Sequence, residues 1–413
     1  MFRRSRILQA VIPALLTTAC ANPQPETLQR NISPIQQVSA AGGVAPAHSA
    51  NAAGKTVADL APPVDMPEIH AGTSEVSERP FVSPGGQLDP SIEAFAQELA
   101  QQRALPIEHV RGLLLEARYN ATAARLMSPA KTRIRRSWVT YRNRFVEPTR
   151  IRNGQQFWRE HADTLTRAEA AYGVPASVIV AIIGVETLYG RHTGDFRVLD
   201  ALATLGFRYP DPSRPERAQM FRNQLADLIT LDYLGKLNAR EARGSFAGAM
   251  GLPQFMPGSI ARYAADGDQD GRVDLHGSVS DAIVSVARFL RLHGWQPGVP
   301  VFAPVTPPAD AQRLVTGGLT PTLSWQELEA SGARASQQGG TEGWKSQALG
   351  VVNLVDEPRN TVEYRVGTPN FFALTHYNRS YFYASSVADL AQELERRMKA
   401  APTTAQLNTP VER

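Results

Sequence analysis

Cysteine is almost absent from this chain: among 413 residues, only Cys20 carries a thiol. A disulfide within one molecule is therefore excluded. Beyond the N-terminus, no apolar run reaches the length of a membrane-spanning helix. A charge surplus is missing as well, because without the three arginines of residues 1–19 the chain has 40 basic and 39 acidic residues. That balance gives no support to nucleic-acid binding, and we expect no nucleic acid among the partners.

The composition that remains is typical of a soluble globular protein. Hydrophobic residues make up 43% of the chain and charged residues 20%. A chain of 413 residues exceeds a single compact core, so we expect two or three domains. Residues 21–88 are rich in Pro, Ala, Ser, Gly, Asn and Gln and have no sustained hydrophobic period, which predicts a flexible tether.

Residues 1–20 have the pattern of an export signal peptide: arginines come first, an apolar run extends from Ile7 to Leu16, and small residues precede Cys20. A lone cysteine directly behind such a signal resembles the lipid-attachment site of bacterial lipoproteins, although Thr17 stands where leucine is usual. Lipidation of Cys20 would anchor the protein in a membrane, and the Ala21 that follows favours the periplasmic face of the outer membrane. The alternative is cleavage after Ala21, which would give a soluble periplasmic protein.

Helical and β-rich patterns divide the rest of the chain. Apolar residues recur at helical spacing from Pro90 onward. The same period returns in five later stretches, 154–172, 198–207, 219–237, 278–295 and 370–398. Between Pro297 and Pro369, short β-rich runs alternate with Gly, Pro and Ser clusters, which predicts a small β subdomain inserted into a helical body.

An arginine-rich stretch, 133–145, combines five arginines with Trp138, Tyr141 and Phe145. Such a cluster could contact an anionic or sugar-rich polymer. A solvated helix face explains the same pattern and is the default interpretation.

One apolar stretch, VPASVIVAIIGVETLYG (174–190), contains a single ionisable residue before its terminal tyrosine, Glu186. Pro175 suits the first helical position and Gly190 suits a left-handed end, and a helix this apolar is buried on nearly all sides. Desolvation and the negative end of the helix dipole both favour the protonated carboxyl, so Glu186 is a candidate general acid at neutral pH. The alternative is a solvated or salt-bridged glutamate at the helix end.

A second unusual stretch is GSFAGAMGLPQFMPGSIARYA (244–264), which is a poor helix and a poor solvated loop. Its glycines and prolines predict backbone held close to a ligand, with Ser245 and Gln254 as hydrogen-bonding groups. A Gly-rich packing turn explains the composition equally well.

An acidic loop follows this stretch. Asp266, Asp268 and Asp270 hold positions 1, 3 and 5 of an EF-hand-like calcium loop, and Arg272 offers its carbonyl at position 7. Position 12 is Gly277 rather than glutamate, so a standard loop would lack its bidentate ligand and bind calcium poorly. A solvated acidic turn is the alternative.

Three stretches together resemble the lytic murein transglycosylase B family of bacterial cell-wall enzymes: GVETLYG (184–190), GSFAGAMGLPQFMP (244–257) and FFALTHYNRSYFYASSVADL (371–390). The resemblance implies an α+β fold that is mainly α, with a lysozyme-like core, a helical domain and a small inserted β subdomain. It also implies cleavage of peptidoglycan glycan strands between N-acetylmuramic acid and N-acetylglucosamine, with a 1,6-anhydro-muramic product. Other cell-wall enzymes stay open as partners.

The resemblance also implies domain limits. The helical domain covers 89–150 and is completed by 385–400, and the core covers 151–296 and is completed by 366–390. The β subdomain covers 297–365.

Site residues are implied in the same way. Glu186 falls on the single catalytic acid/base, and Ser245 on the serine that hydrogen-bonds its carboxyl. Cleft and sugar-subsite positions fall on Tyr141, Gln254, Tyr377, Asn378 and Tyr383. The loop RYPDPSRPERA (208–218) is longer than its family equivalent, and Arg217 is its expected contact to the peptide stem. The family closes a lengthened calcium loop with an aspartate at the start of the next helix, a role that fits Asp281, so structural Ca²⁺ is expected.

A site with one carboxylate is chemically coherent if the substrate supplies the nucleophile. Ordinary glycosidases use two carboxylates. Here the C6 hydroxyl of the sugar would attack, which gives an intramolecular advantage over water, and catalysis needs no cofactor. The alternatives are a lysozyme-type muramidase, which is a hydrolase, and a non-catalytic peptidoglycan-binding scaffold.

Overall fold

The computed structural model describes residues 81–130, 132–336 and 342–400. The predicted signal peptide, Cys20 and nearly all of the predicted tether lie outside these ranges. The helices are α1 (Pro90–Arg103), α2 (Ile107–Glu116), α3 (Ala121–Met127), α4 (Trp138–Phe145), α5 (Pro148–Glu160), α6 (Ala162–Tyr172), α7 (Ala176–Thr187), α8 (Val198–Phe207), α9 (Pro215–Tyr233), α10 (Pro257–Tyr263), α11 (Val279–Leu292), α12 (Trp325–Ala330), α13 (Pro369–Tyr377) and α14 (Tyr381–Ala400).

Six short strands form three antiparallel pairs in this part of the chain. The strands are β1 (Phe196–Arg197), β2 (Arg243–Gly244), β3 (Val305–Thr306), β4 (Arg334–Ala335), β5 (Gly350–Asp356) and β6 (Thr361–Gly367). β1 pairs with β2, β3 with β4, and β5 with β6. The β5–β6 hairpin runs in register from Gly350 opposite Gly367 to Asp356 opposite Thr361. Strands β3 to β6 lie where the β-rich texture predicted them, and the mainly helical α+β class is confirmed.

Helix α7 is the buried helix that the sequence predicted, with different ends. All 12 of its residues are buried. It begins at Ala176, with Pro175 as the N-cap, and ends at Thr187. The left-handed end begins earlier than predicted, because Leu188 has a φ of 50° and Tyr189 a φ of 61°, ahead of the 84° of Gly190.

Two predicted long helices are each divided. The stretch 154–172 forms the end of α5 and all of α6, which meet at His161, a residue with a φ of −118°. The stretch 370–398 forms α13 and α14, because Asn378 is extended, with a φ of −147°. Helices α8, α9 and α11 lie within a few residues of their predicted limits.

The apolar interior of the described part of the chain consists of three clusters. The core cluster unites α4 to α7, α11, α13 and α14 with part of β5. The N-terminal cluster joins α1 to α3 with α8 and α9. The β cluster lies within residues 303–366. Helices α1 to α3 pack on α8 and α9, while α14 packs on α7, α4 and α5. The domain limits implied by the family stay a prediction.

The arginine-rich stretch lies against the β5–β6 hairpin. Arg136 and Arg133 pair with the Glu357 carboxylate at 3.1 and 3.3 Å. The buried Asp356 accepts hydrogen bonds from the Ser137 hydroxyl at 2.9 Å and the Val139 N–H at 3.0 Å. These contacts hold the N-terminus of α4 on the hairpin turn, so at least two of the arginines have a structural role.

Among the described residues, no single helix is both long and apolar enough to cross a membrane. Helices α6 and α7 reach that length and composition only as a pair, and they meet at an angle of 114°.

Candidate active site

The carboxyl of Glu186 is buried at the end of α7, and the residue is 4% exposed. Burial removes water from the ionised form and raises the pKa of Glu186 to about 8. The Tyr383 hydroxyl donates a hydrogen bond to Oε1 at 2.6 Å, which acts in the opposite direction and lowers that pKa. Desolvation prevails, so the carboxyl is mostly protonated at neutral pH.

The second carboxyl oxygen of Glu186, Oε2, has no hydrogen-bond partner among the described residues. Because Oε1 accepts from Tyr383, the proton of the neutral acid belongs on Oε2. An acidic proton on this buried oxygen, which has no partner among the described residues, can be donated to a molecule that reaches it.

Three tyrosines from three helices surround this carboxyl. Tyr141 lies on α4, Tyr377 at the end of α13 and Tyr383 on α14. Burial raises the pKa of each phenol, and the charge of Glu186 raises it further. The phenols therefore stay neutral and can act as hydrogen-bond donors.

Tyr141 is half-buried, and its ring packs against Phe145 and Phe382 with centroid distances of 5.1 and 5.5 Å. Its helix begins at the hairpin contact of Ser137 described above. The structure thus brings Tyr141 near Glu186 across 45 residues of sequence, and its role as a cleft residue stays a prediction.

Tyr377 and Tyr383 are both buried beside the Glu186 carboxyl. Tyr383 has no exposed surface and Tyr377 is 3% exposed. Their rings stack at 6.3 Å, and the Tyr377 hydroxyl donates to the Pro253 carbonyl at 2.6 Å. In this structure both rings pack beside the carboxyl, and their role in lining sugar subsites stays a prediction. Asn378, also buried, is the C-cap of α13 beside them.

Ser245 does not make the predicted hydrogen bond to Glu186. Its hydroxyl accepts the Ala249 N–H at 3.1 Å, and its own N–H donates to the Ala249 carbonyl at 2.8 Å. The only described hydrogen bond of the Glu186 carboxyl comes from Tyr383. Ser245 therefore closes a tight turn of the glycine-rich stretch here, which corrects its predicted role for this structure.

Gln254 lies in the same stretch with a φ of 51°, a conformation that residues with a Cβ seldom adopt. Its Nε2 donates to the carbonyls of Thr193 and Gly251 at 3.0 and 2.9 Å. Its Oε1 is buried without a hydrogen-bond partner in the described part of the chain. A rigid backbone and one free acceptor fit a residue held ready for a ligand.

Two residues beside the carboxyl were missed from the sequence. Thr187 donates from Oγ1 to the Leu252 carbonyl at 3.0 Å and so joins the end of α7 to the glycine-rich stretch. Arg150 donates from Nε to the Gly184 carbonyl at 2.9 Å. A hydroxyl in an apolar helix was an available signal for Thr187, whereas nothing local marks Arg150, which lies on another helix.

Arg217 lies apart from this carboxyl in every described contact. It is in the first turn of α9, where its charge acts on Tyr209. The neighbouring Glu216 pairs with Arg214 at 3.2 Å. The peptide-stem contact expected of Arg217 stays a prediction.

The acidic loop brings three predicted ligands together. One carboxylate oxygen from each of Asp266, Asp268 and Asp270 lies within 4.8 Å of the other two. Asp266 also accepts the N–H groups of Gln269 and Gly271, at 2.6 and 2.8 Å, which curls the loop around the cluster. Oxygen ligands at this spacing fit a hard divalent cation.

Asp281 is not a member of that cluster, and its role as a calcium ligand stays a prediction. It is 1% exposed, and its two oxygens accept the N–H groups of Gly267 and Asp274, both at 2.7 Å. Asp281 thus ties the two ends of the loop together from the start of α11. The N–H of Arg272 donates to Asp270 at 2.8 Å, so this residue is part of the loop, while coordination by its carbonyl stays a prediction.

Known proteins are similar to this chain in sequence and in fold. Residues 87–392 match the family described as Transglycosylase SLT domain. Membrane-bound lytic murein transglycosylase B of Escherichia coli K12 is 34% identical over 312 residues, which are 74% of this chain and 82% of that protein. The crystal structure of soluble lytic transglycosylase SltB1 from Pseudomonas aeruginosa has a TM-score of 0.66 and 39% identity, and the alignment covers 75% of this chain and 100% of that one.

A further structure, Escherichia coli lytic transglycosylase Slt35 in complex with calcium, has a TM-score of 0.63 and 33% identity, with 75% of this chain and 94% of that chain covered. The lysozyme-like, mainly helical fold expected from the sequence is thereby confirmed. Because the family match extends over residues 87–392, the chain belongs to the transglycosylase SLT domain family of lytic transglycosylases.

Proposed function

We propose that this lytic transglycosylase acts on peptidoglycan, that Glu186 is its single catalytic acid and base, and that its product ends in 1,6-anhydro-N-acetylmuramic acid. The bond cleaved is the β-1,4 bond from N-acetylmuramic acid to N-acetylglucosamine. The observation that carries the proposal is the buried, mostly protonated Glu186 with an Oε2 that has no internal partner.

In the first step, Glu186 donates its Oε2 proton to the glycosidic oxygen as the bond from that oxygen to C1 breaks. The N-acetyl group of the muramoyl unit stabilises the positive charge that develops at C1. Tyr383 donates to Oε1 and stabilises the carboxylate that remains. In the second step, the C6 hydroxyl attacks C1 and returns its proton to Glu186, so no water is consumed.

The surroundings of Glu186 support a mechanism with one carboxylate. Asp200, the nearest candidate in sequence on the next helix, pairs with Arg197 at 3.2 Å and accepts the Arg118 N–H at 2.9 Å. Asp195 is exposed in the preceding loop. Neither is in a described contact with Glu186, so the two-carboxylate arrangement of ordinary glycosidases has no support here.

The test compares Glu186→Gln with the matched control Glu329→Gln, an exposed glutamate on α12. The amide is isosteric but cannot donate an acidic proton, so we expect Glu186→Gln to bind sacculi and to release about 1000-fold less soluble muropeptide or none. Glu329→Gln should cleave like the wild type. Undiminished release by Glu186→Gln would refute the assignment, and binding without release by the wild type would favour a scaffold.

We further propose that Asp266, Asp268 and Asp270 hold a structural calcium ion. The carboxylate spacing and the calcium complex of the related Slt35 support this assignment. The ion would neutralise three carboxylates that otherwise repel one another. None of these residues is in a described contact with Glu186, so the ion would take no part in bond cleavage.

The cellular location is proposed from the N-terminal sequence. Lipidation of Cys20 would place the protein on the periplasmic face of the outer membrane, and cleavage after Ala21 would leave it soluble in the periplasm. The similarity to a membrane-bound lytic transglycosylase supports the first alternative. The glycan strands of peptidoglycan are the proposed partner at that location.

A further inference from the structure

Tyr189 occupies an unusual position immediately after the catalytic helix. It has a φ of 61° and follows Leu188, which has a φ of 50°, so two successive residues with a Cβ adopt the left-handed region. The Tyr189 N–H donates to the Ile183 carbonyl at 3.4 Å. This turn ends α7 one residue after Glu186, and something outside the turn must stabilise it.

The ring of Tyr189 lies in a slot between α5 and α7 that two glycines open. A Cβ atom at Gly154 or at Gly184 would lie 2.4 Å from the Tyr189 hydroxyl oxygen, closer than any real contact. On the remaining side the ring packs against Phe157 at 5.4 Å. Glycine within a helix is otherwise unfavourable, so its presence on both walls indicates that the slot is shaped for this ring.

The Tyr189 hydroxyl itself contributes no described hydrogen bond. It is buried and has no hydrogen-bond partner among the described residues. The ring therefore acts through its volume rather than through its polar end. A phenylalanine lacks the hydroxyl oxygen but keeps the ring, whose Cζ would lie 2.6 Å from a Cβ atom at Gly184, and a smaller side chain leaves the slot unfilled.

We propose that Tyr189 is a positioning residue for Glu186: its ring fills the slot at Gly154 and Gly184 and thereby holds the left-handed turn that fixes the catalytic carboxyl in the last turn of α7. Filling the slot also keeps water away from that end of the helix. The inference deepens the proposed function, because it rests on Glu186 as the acid. Tyr189 is not proposed to touch the substrate.

The side chains around Glu186, together with its burial, determine its pKa. Helix α4 contributes Tyr141, α13 contributes Tyr377 and α14 contributes Tyr383. From α5, Arg150 reaches the Gly184 carbonyl. Among the described residues, α6 and α11 add no group that shifts the pKa of Glu186, whose rise comes from desolvation. Water admitted through an emptied slot would reduce that desolvation.

The experiment measures the pH dependence of muropeptide release by Tyr189→Leu and Tyr189→Phe. For Tyr189→Leu we expect kcat to fall about 10-fold with KM unchanged. The alkaline limb of the pH–rate profile follows loss of the Glu186 proton, and we expect it to move about one pH unit lower. Tyr189→Phe should keep the wild-type profile. A purely structural role would lower the melting temperature of Tyr189→Leu without moving the limb, and that result would overturn the proposal.

A second variant and a second measurement test the same proposal independently. Gly154→Ala displaces the ring from the neighbouring helix and leaves the sequence of the turn unchanged, and it should move the limb in the same direction. An unmoved limb would again contradict the proposal. A ¹³C NMR titration of the Glu186 carboxyl, assigned with Glu186→Gln, measures the same pKa without substrate. If the wild-type protein released no anhydro product, the proposed function would fail while this titration still tested Tyr189.

Discussion

At the scale of single residues, the site depends on the hydrogen bond that the Tyr383 hydroxyl donates to the Glu186 carboxyl. Glu186 is conspicuous because it ends an apolar helix, and burial raises its pKa to about 8 as that position predicted. The hydroxyl that it contacts belongs to Tyr383, 197 residues further along the chain. Local patterns carry no information on such a contact, so only the resemblance pointed to Tyr383, and it assigned a different role.

The hydrogen bond from Tyr383 should set how far into alkaline pH the protein stays active. It lowers the pKa of Glu186 against the larger effect of burial. We expect Tyr383→Phe to raise that pKa, so the alkaline limb of the pH–rate profile moves to higher pH. We also expect kcat to fall about 10-fold, because the carboxylate formed in the first step loses its donor. The measurement is kcat as a function of pH on purified sacculi.

The control for this change is Tyr381→Phe. Tyr381 lies on the same helix, and its hydroxyl contacts the Gly318 carbonyl instead of Glu186. We expect its pH profile to match the wild type. An alkaline limb that moves to lower pH in Tyr383→Phe would contradict the described hydrogen bond.

At the scale of elements, the sequence predicted where helices lie better than where they end. Helices α7, α8, α9 and α11 were all expected. The end of α7 was placed at Gly190, because glycine is the usual left-handed residue, whereas Leu188 and Tyr189 adopt that conformation first. The slot between α5 and α7 explains the difference, and it depends on contacts across the core that periodicity does not encode.

The acidic loop also shows that residue spacing predicts some contacts and misses others. The spacing of its first three aspartates predicted a cluster correctly. The backbone contacts of Asp281 were not predicted, because its two oxygens accept N–H groups on both sides of the loop, a pairing that residue spacing does not reveal.

Calcium should stabilise this loop and leave the reaction unchanged. A bound cation favours the folded state because the unfolded chain does not assemble three carboxylates. We expect calcium added to EDTA-treated protein to raise the melting temperature by a few degrees, and magnesium to do so poorly because it demands a tighter octahedral shell. The measurement is a thermal melt, with product analysis before and after chelation.

The matched variants are Asp268→Asn in the loop and Asp310→Asn in an exposed ion pair with Arg313. Only Asp268→Asn should abolish the calcium effect. Equal stabilisation by both ions, or by neither, would refute a specific calcium site.

At the scale of the whole molecule, the site is assembled from distant parts of the chain. Tyr141, Glu186 and Tyr383 come from α4, α7 and α14, which share the core cluster. The mainly helical class and the β-rich stretch followed from composition and periodicity. The packing of α1 to α3 on α8 and α9 did not, because which apolar faces meet is decided by tertiary fit rather than by their order.

Lipidation at Cys20 would determine the cellular location of this protein. We expect the full-length protein to incorporate labelled palmitate and to sediment with outer membranes. Cys20→Ser should lose both the label and the membrane association while the released protein keeps its activity on isolated sacculi. A Cys20→Ser protein that still carries label would defeat the proposal, and an unlabelled wild type would favour cleavage after Ala21.

In the proposed reaction, C1 of the muramoyl unit is attacked by the C6 hydroxyl of the same sugar rather than by water, and Glu186 takes the proton of that hydroxyl. The most direct test of this reaction is mass spectrometry of muropeptides that the purified protein releases from sacculi in water enriched in heavy oxygen. We predict products that end in 1,6-anhydro-N-acetylmuramic acid and carry no label from the solvent. Reducing ends with heavy oxygen as the main product would contradict the account and make the protein a lysozyme-type hydrolase.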